Sequence, residues 1–235
     1  MQQLLFVLGA SQDRDSGQKG FTLAELLIAM VISGIVMAAV IKLFSTEIKA
    51  HNTQFSTSNM QQNLRAAMDY MVRHTRMAGY DPAYAGAGFN GTLANRLDFT
   101  CDIGTLNDTS TANDQTPNGR IDDNWDEKVI FRLSGSSLMR DRPGGSAVTV
   151  AENIEALNFR YLDKNGVDTT NTRDVRSVQI TLVGRTDPGT AIMTNYVDKQ
   201  VYTNQRGDIL LAAQNDHVRR MLLTAEVKCR NLAWK

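Results

Sequence analysis

Apolar residues crowd into one early block. From Leu26 to Ile41 the stretch LLIAMVISGIVMAAVI carries no charge, and Phe21 to Leu23 with Leu43 and Phe44 extends it to the length of a membrane-spanning helix. Only Glu25 and Lys42 interrupt it with charge. Beyond the block the apolar positions thin to a stripe, Ile48, Phe55, Met60, Leu64, Met68, Met71, Val72 and Thr75, which recurs at helical spacing. Between Phe21 and Ala78 there is no proline, and Gly34 is the only glycine, so the pattern predicts one continuous helix. Gly79 supplies a left-handed cap and Pro82 a stop. At 1.5 Å per residue such a helix would reach roughly 85 Å, far more than a bilayer core. Its first half is apolar all round, and its second half has one face to bury against a soluble domain.

From Asp81 the period changes. Residues 81 to 127 are rich in Gly, Asn, Asp and Thr and read as a long irregular connection with one short strand, Leu97 to Cys101. Alternation then marks half-buried strands at Val129 to Leu133, Leu157 to Tyr161 and Val178 to Leu182. Ser134 to Ser137 and Asp163 to Gly166 read as hairpin turns, the second containing an Asn-Gly pair. In the last strand Met221, Leu223, Ala225, Val227 and Cys229 share the inward face. The expected fold class is α+β, a long N-terminal helix packed on an antiparallel β-sheet head. Its expected divisions are a leader (1–20), a membrane helix (21–44), an amphipathic continuation (45–79) and a β-rich head (80–235).

A chain of 235 residues with 25 basic and 25 acidic side chains has room for one sizeable core and no net field that selects a polyanion. Two cysteines, Cys101 and Cys229, lack metal-ligand spacing. Their simplest use outside the cytoplasm is one long-range disulfide, stabilising by roughly 4 to 5 kcal/mol, and two buried thiols are the alternative. His51, His74 and His217 are scattered. Asp114, Asn118, Gly119, Ile121 and Asp122 faintly resemble a calcium loop, but Thr116 and Trp125 stand where oxygen ligands belong, so a solvated loop is the reading adopted. Arg219, Arg220, Lys228, Arg230 and Lys235 make a basic terminal segment, read as a solvated strand face because no aromatic residues interleave for base stacking. The stripe of Met60, Met68 and Met71 is read as packing. No nucleophile elbow, phosphate loop or dinucleotide fingerprint occurs. Neither catalysis nor a cofactor nor a metal is expected.

Glu25 carries the functional signal, because a carboxylate near the start of a membrane helix is costly unless it has a task. The polar stretch SQDRDSGQKG precedes the main apolar block, the reverse of an ordinary secretory signal. The segment GFTLAELLIAMVISGIVMAAVIKLF resembles the N-terminal signature of type IV prepilins and the related type II secretion pseudopilins. That signature requires a glycine before the cut, a hydrophobic first mature residue and a glutamate as the fifth, supplied by Gly20, Phe21 and Glu25. The segments Met60 to Asp69, Arg76 to Pro82, Ile154 to Tyr161 and Arg219 to Asn231 are similar to PilW-like minor pilins. The leader is longer than most prepilins carry, and Ala24 stands where many have a bulkier residue.

The resemblance implies cleavage between Gly20 and Phe21 by a prepilin peptidase, N-methylation of Phe21, and a single-pass inner-membrane subunit with a periplasmic head that later enters a pilus. Implied partners are other minor pilins, the major pilin, the assembly platform, the peptidase and membrane lipid. Nucleic acid is not expected. In the filament the new amine of Phe21 would pair with Glu25 of a neighbour, and Ala29, Ser33, Gly34, Ala38 and Ala39 would permit close helix packing. A type II secretion pseudopilin, or a tip subunit that binds a surface or DNA, is the alternative.

Overall fold

The computed structural model describes residues 20–103, 117–121, 127–141, 146–189 and 196–232. The chain divides into two compact units, Met1–Ile48 and Lys49–Lys235. One helix, α1 (Leu23–Thr75), belongs to both. Among the described residues nine strands follow, β1 (Arg96–Thr100), β2 (Lys128–Ser134), β3 (Ser137–Asp141), β4 (Val148–Glu152), β5 (Ile154–Leu162), β6 (Ser177–Arg185), β7 (Tyr202–Thr203), β8 (Ile209–Leu211) and β9 (Arg220–Lys228).

In the first unit every described residue is exposed. Leu26, Ile28, Val31, Ile35, Val36, Met37 and Ile41 point to all sides of α1 and are exposed among the described residues. A helix apolar around its whole circumference suits lipid or a bundle of like helices.

The second unit builds its own core. All pairings are antiparallel: β1-β2-β3-β4 form one sheet, β5-β6-β9 a second, and β7-β8 a short hairpin. Leu64, Ala67, Met68 and Met71 of α1 pack on Leu97, Phe99, Val129, Phe131 and Leu138 of the first sheet and on Phe159, Val178, Ile180 and Leu182 of the second. Helical spacing on one partner and period-two spacing on the other thus converge on one interior. The approach is close at Gly184, where a Cβ would come within 3.1 Å of Leu64 Cδ1. Of the expected stripe, Met60, Leu64, Met68, Met71 and Thr75 are buried and Val72 is half-buried, whereas Ile48 and Phe55 stay exposed.

The helix ends in a tightened turn rather than running to Ala78. Met77 and Ala78 N–H donate to the carbonyls of His74 and Thr75, three residues back, at 2.9 and 3.1 Å. Gly79 then takes φ 73°, and a Cβ there would run into Leu232.

The five expected strands are present. The β2–β3 hairpin turns at Ser134 to Ser137, with Gly135 at φ 60°. The Asp163–Gly166 turn also forms, with Gly166 N–H donating to Asp163 O at 3.1 Å. It does not lead straight into a partner strand, since only the bridge of Leu162 to Asp168 follows and β6 begins at Ser177. The second face of the β5-β6-β9 sheet is half covered, because β7-β8 places Tyr202, Leu210 and Leu211 over Ala156, Val183 and Leu222. That cover was not foreseen, because strands of two and three residues leave no periodic signal.

The bond expected between Cys101 and Cys229 is not present. Both side chains are buried, and the structure holds them as thiols. Cys101 Sγ lies 3.8 Å from Glu127 O and Cys229 Sγ 4.0 Å from Thr75 O. Burial pushes the Cys229 thiol up to about 12, so little thiolate exists at neutral pH. Cys229 of the reduced, folded protein should therefore resist iodoacetamide at pH 8 and react once guanidinium unfolds it. Rapid labelling of the folded protein, read by peptide mass spectrometry, would contradict this burial.

Candidate functional site

Gly20, Phe21 and Glu25 lie at the start of α1, where local chemistry is set by Thr22. Glu25 N–H donates to Thr22 Oγ1 at 3.2 Å, while Thr22 N–H and Oγ1 both donate to Glu25 Oε2 at 2.9 Å. This is a reciprocal capping box, with Thr22 as N-cap and Glu25 at the third helical position. It satisfies two of the amides that a helix start leaves without partners, and it sets the carboxylate at the positive end of the helix. The signal was legible as Thr22-x-x-Glu25, although the sequence reading assigned Glu25 only an intermolecular task.

Gly20 is exposed with nothing within 4 Å of the position its Cβ would take, and Phe21 is 90% exposed. The bond between them is thus open to an external agent. Phe21, Glu25, Leu26, Ala29, Met30 and Ser33 share one helix face, which bears a shallow groove of about 580 Å³. Ala29 and Ser33, one and two turns beyond Glu25, keep that face low enough for another helix to lie beside the carboxylate. Glu25 is the only charged residue from Phe21 to Ile41.

A profile for the prokaryotic N-terminal methylation motif matches residues 15–41, which contain this face. The profile of the family described as prepilin peptidase-dependent protein B matches residues 53–202, well over half of the chain. The chain belongs to the prepilin peptidase-dependent protein B family. Among relatives of this family member, the pilin-like protein PilA3 of Thermus thermophilus is 25% identical over 209 residues, 77% of this chain and 88% of that one. The toxin coregulated pilin of Vibrio cholerae is 35% identical over 85 residues. That match spans only 36% of either chain. A type IV-like pilin from Thermus thermophilus has a solved structure that superposes with a TM-score of 0.48 at 14% identity, covering 74% of this chain and 98% of the other. The chain is a type IV pilin-like protein, of a kind that is structural rather than enzymatic, with a pilin-type N-terminal helix suited to membrane anchoring.

Elsewhere in this pilin-like protein, the faint calcium loop falls partly outside the described residues, including Asp114, Thr116, Asp122 and Trp125. Of its described members, Asn118 and Gly119 donate their N–H groups to the buried Asp102 carboxylate at 3.1 and 3.0 Å. His51 is exposed, His74 stacks on Tyr70 with 4.4 Å between centroids, and His217 Nδ1 lies 2.7 Å from Tyr196 O.

The basic terminal segment is not the uniformly solvated face expected. Lys228 and Arg230 are exposed, and Lys235 lies outside the described residues. Arg219 stacks on the Tyr196 ring at 4.4 Å. Arg220 turns inward, with its side chain 2% exposed, and meets Glu155, Asp198 at 3.1 Å and Asp216 at 2.7 Å. Asp216, then Glu155 and Asp198, push the guanidinium pKa further up. Asp198 also accepts from Tyr202 Oη at 3.1 Å, and Glu155 pairs with Arg185 at 2.8 Å. The cluster ties β5, β9, and the loop segments around Asp198 and Asp216 together. Its members are far apart in the sequence apart from Asp216 and Arg220, so no spacing announces it.

Proposed function

We propose that this protein is a PilW-like minor pilin, cut after Gly20 by a prepilin peptidase, N-methylated at Phe21 and incorporated into a type IV pilus. The observation that carries the proposal is the exposed apolar helix with a single carboxylate at its start, one turn after an open Gly20–Phe21 bond. Before assembly the helix sits in the inner membrane, lipid covers its apolar faces, and Thr22 holds Glu25. The head is periplasmic.

Cleavage frees the amine of Phe21. In a bundle of such helices that amine becomes a buried positive charge, and Glu25 of a neighbour is the group that neutralises it. The groove bounded by Ala29 and Ser33 gives the neighbouring helix room to approach. Glu25 therefore exchanges an internal cap for an intermolecular ion pair, and membrane lipid is replaced by helices of the major pilin and other minor pilins. The assembly platform in the inner membrane hosts the exchange. The head supports it by packing and not by chemistry.

Gly20→Val, co-expressed with a prepilin peptidase, should accumulate as a membrane-held precursor that migrates more slowly than processed wild type. Identical mobility of the two would count against the cut.

A further inference from the structure

Among the described residues of the head, one long sheet edge is open. Arg219 O accepts from Thr186 N–H at 2.9 Å, and Cys229 N–H donates to Arg176 O at 2.9 Å. Both bonds continue the β6–β9 register, in which Leu182 faces Leu223 and Ile180 faces Ala225. Directions alternate along an antiparallel strand, so the odd-numbered residues of β9 bond to β6. Leu222, Thr224, Glu226 and Lys228 must then aim their N–H and C=O groups at the far side. β9 is terminal in its sheet, and no described backbone group bonds to these four from that side.

The other edges differ: β4 has only five residues, with Asn63 Nδ2 donating to its Glu152 O at 2.6 Å, and β1 and β5 are partly covered. Gly88 and Asn90 bond to Thr100 and Asp98 along β1, and Ala94 O accepts from Phe159 N–H along β5 at 2.8 Å. β9 has nine residues, no proline and no register shift against β6. From Met221 to Ala225 it carries no charge. An edge this long and regular is normally disguised unless pairing is its use.

A second feature says what would pair. Beside the end of β9 lies a cleft of about 670 Å³ whose walls include Arg76, Met77, Tyr80, Glu226, Lys228 and Arg230. Met77 and Tyr80 are exposed apolar surface there. Glu226 accepts from Ser177 Oγ at 2.9 Å and Gln179 Nε2 at 3.3 Å, and the three cations of the rim, Arg76, Lys228 and Arg230, outnumber this one carboxylate.

We propose that the free edge of β9 is a strand-acceptor site for an extended acidic segment of another pilus subunit. An apolar side chain of that segment sits over Met77 and Tyr80, and flanking carboxylates face Arg76, Lys228 and Arg230. Main-chain bonds to Leu222, Thr224, Glu226 and Lys228 supply the pairing, and the cleft supplies the selection. The donor's identity as a pilus subunit rests on the function proposed above; the acceptor edge itself does not.

The test uses the full chain in detergent micelles and a hexapeptide that alternates aspartate with valine and phenylalanine, read by hydrogen exchange. The expected result is slowing of exchange across residues 221–228 by about tenfold or more, with no such effect from an analogue carrying lysine for aspartate. Thr224→Pro removes an outward N–H that the ladder does not use, so it should keep its circular dichroism and lose the protection. The double variant Lys228→Glu with Arg230→Glu leaves the backbone intact and should lose it too. Equal protection by the lysine analogue, protection confined to other strands, or undiminished binding by folded Thr224→Pro would overturn the proposal. Peptide binding by a chain that never enters pili would contradict the proposed function alone.

Discussion

Glu25→Gln is expected to be processed normally and then to be depleted from sheared pili by about tenfold or more relative to wild type. Glutamine can close the same capping box with Thr22, because the box needs an acceptor and not a charge. It cannot neutralise the amine of a neighbouring Phe21. The variant therefore separates the two tasks of one side chain. If capping were all that Glu25 does, Glu25→Gln would enter pili like wild type and Glu25→Ala would fall behind it. If charge pairing decides, both fail together, and Thr22→Ala, which keeps the carboxylate, assembles far better than either. Immunoblots of the sheared fraction against the membrane fraction read all three. Normal incorporation of Glu25→Gln would remove charge pairing from the account.

Arg220→Met is expected to cost the head about 3 to 5 kcal/mol of stability, the range for breaking a buried ion pair from one side. Methionine retains the volume, so the loss comes from charge. Asp198, only 1% exposed, and Glu155, 14% exposed, would remain buried after losing their shared cation. Asp198 keeps Tyr202 and Gln200, and Glu155 keeps Arg185, which places the expected loss toward the lower end. The pH dependence adds a second check. In wild type Arg220 hydrogen-bonds Asp216 and holds its carboxyl below the usual range, so that stabilisation is complete above the unfolded pKa near 3.8 and is lost as pH falls. The variant lacks that contribution, so its deficit should be full at pH 7 and shrink as pH falls below 3.8. Denaturant melts of both proteins across that range measure it, and a deficit below about 1 kcal/mol at pH 7 would mean the cluster is ornamental.

What could be read in advance follows from the reach of each interaction. The helix, its stop at Gly79, and the inward faces of β1, β2, β5, β6 and β9 repeat over five or more residues, so their periods are visible. Phe55 obeys the same period yet stays exposed, because the stripe says which face is apolar and not where the partner sheet ends. The β7-β8 hairpin, the Arg220 cluster and the surroundings of Cys101 and Cys229 depend on residues brought together by the fold, which no window of sequence contains. Gly20, Phe21 and Glu25 are proposed from the sequence because the prepilin signature they match is contiguous. The role of Thr22 was equally local and was passed over because the carboxylate had already been given a distant partner.

The central claim is that Gly20 and Phe21 bound a processing site from which an assembly helix begins. Intact-mass and N-terminal peptide mass spectrometry of the mature protein, isolated from cells that express a prepilin peptidase, tests it most directly. The expected product is a chain that begins at Phe21 and carries one N-methyl group. A chain that still begins at Met1, or that begins anywhere else without that methyl group, would contradict it.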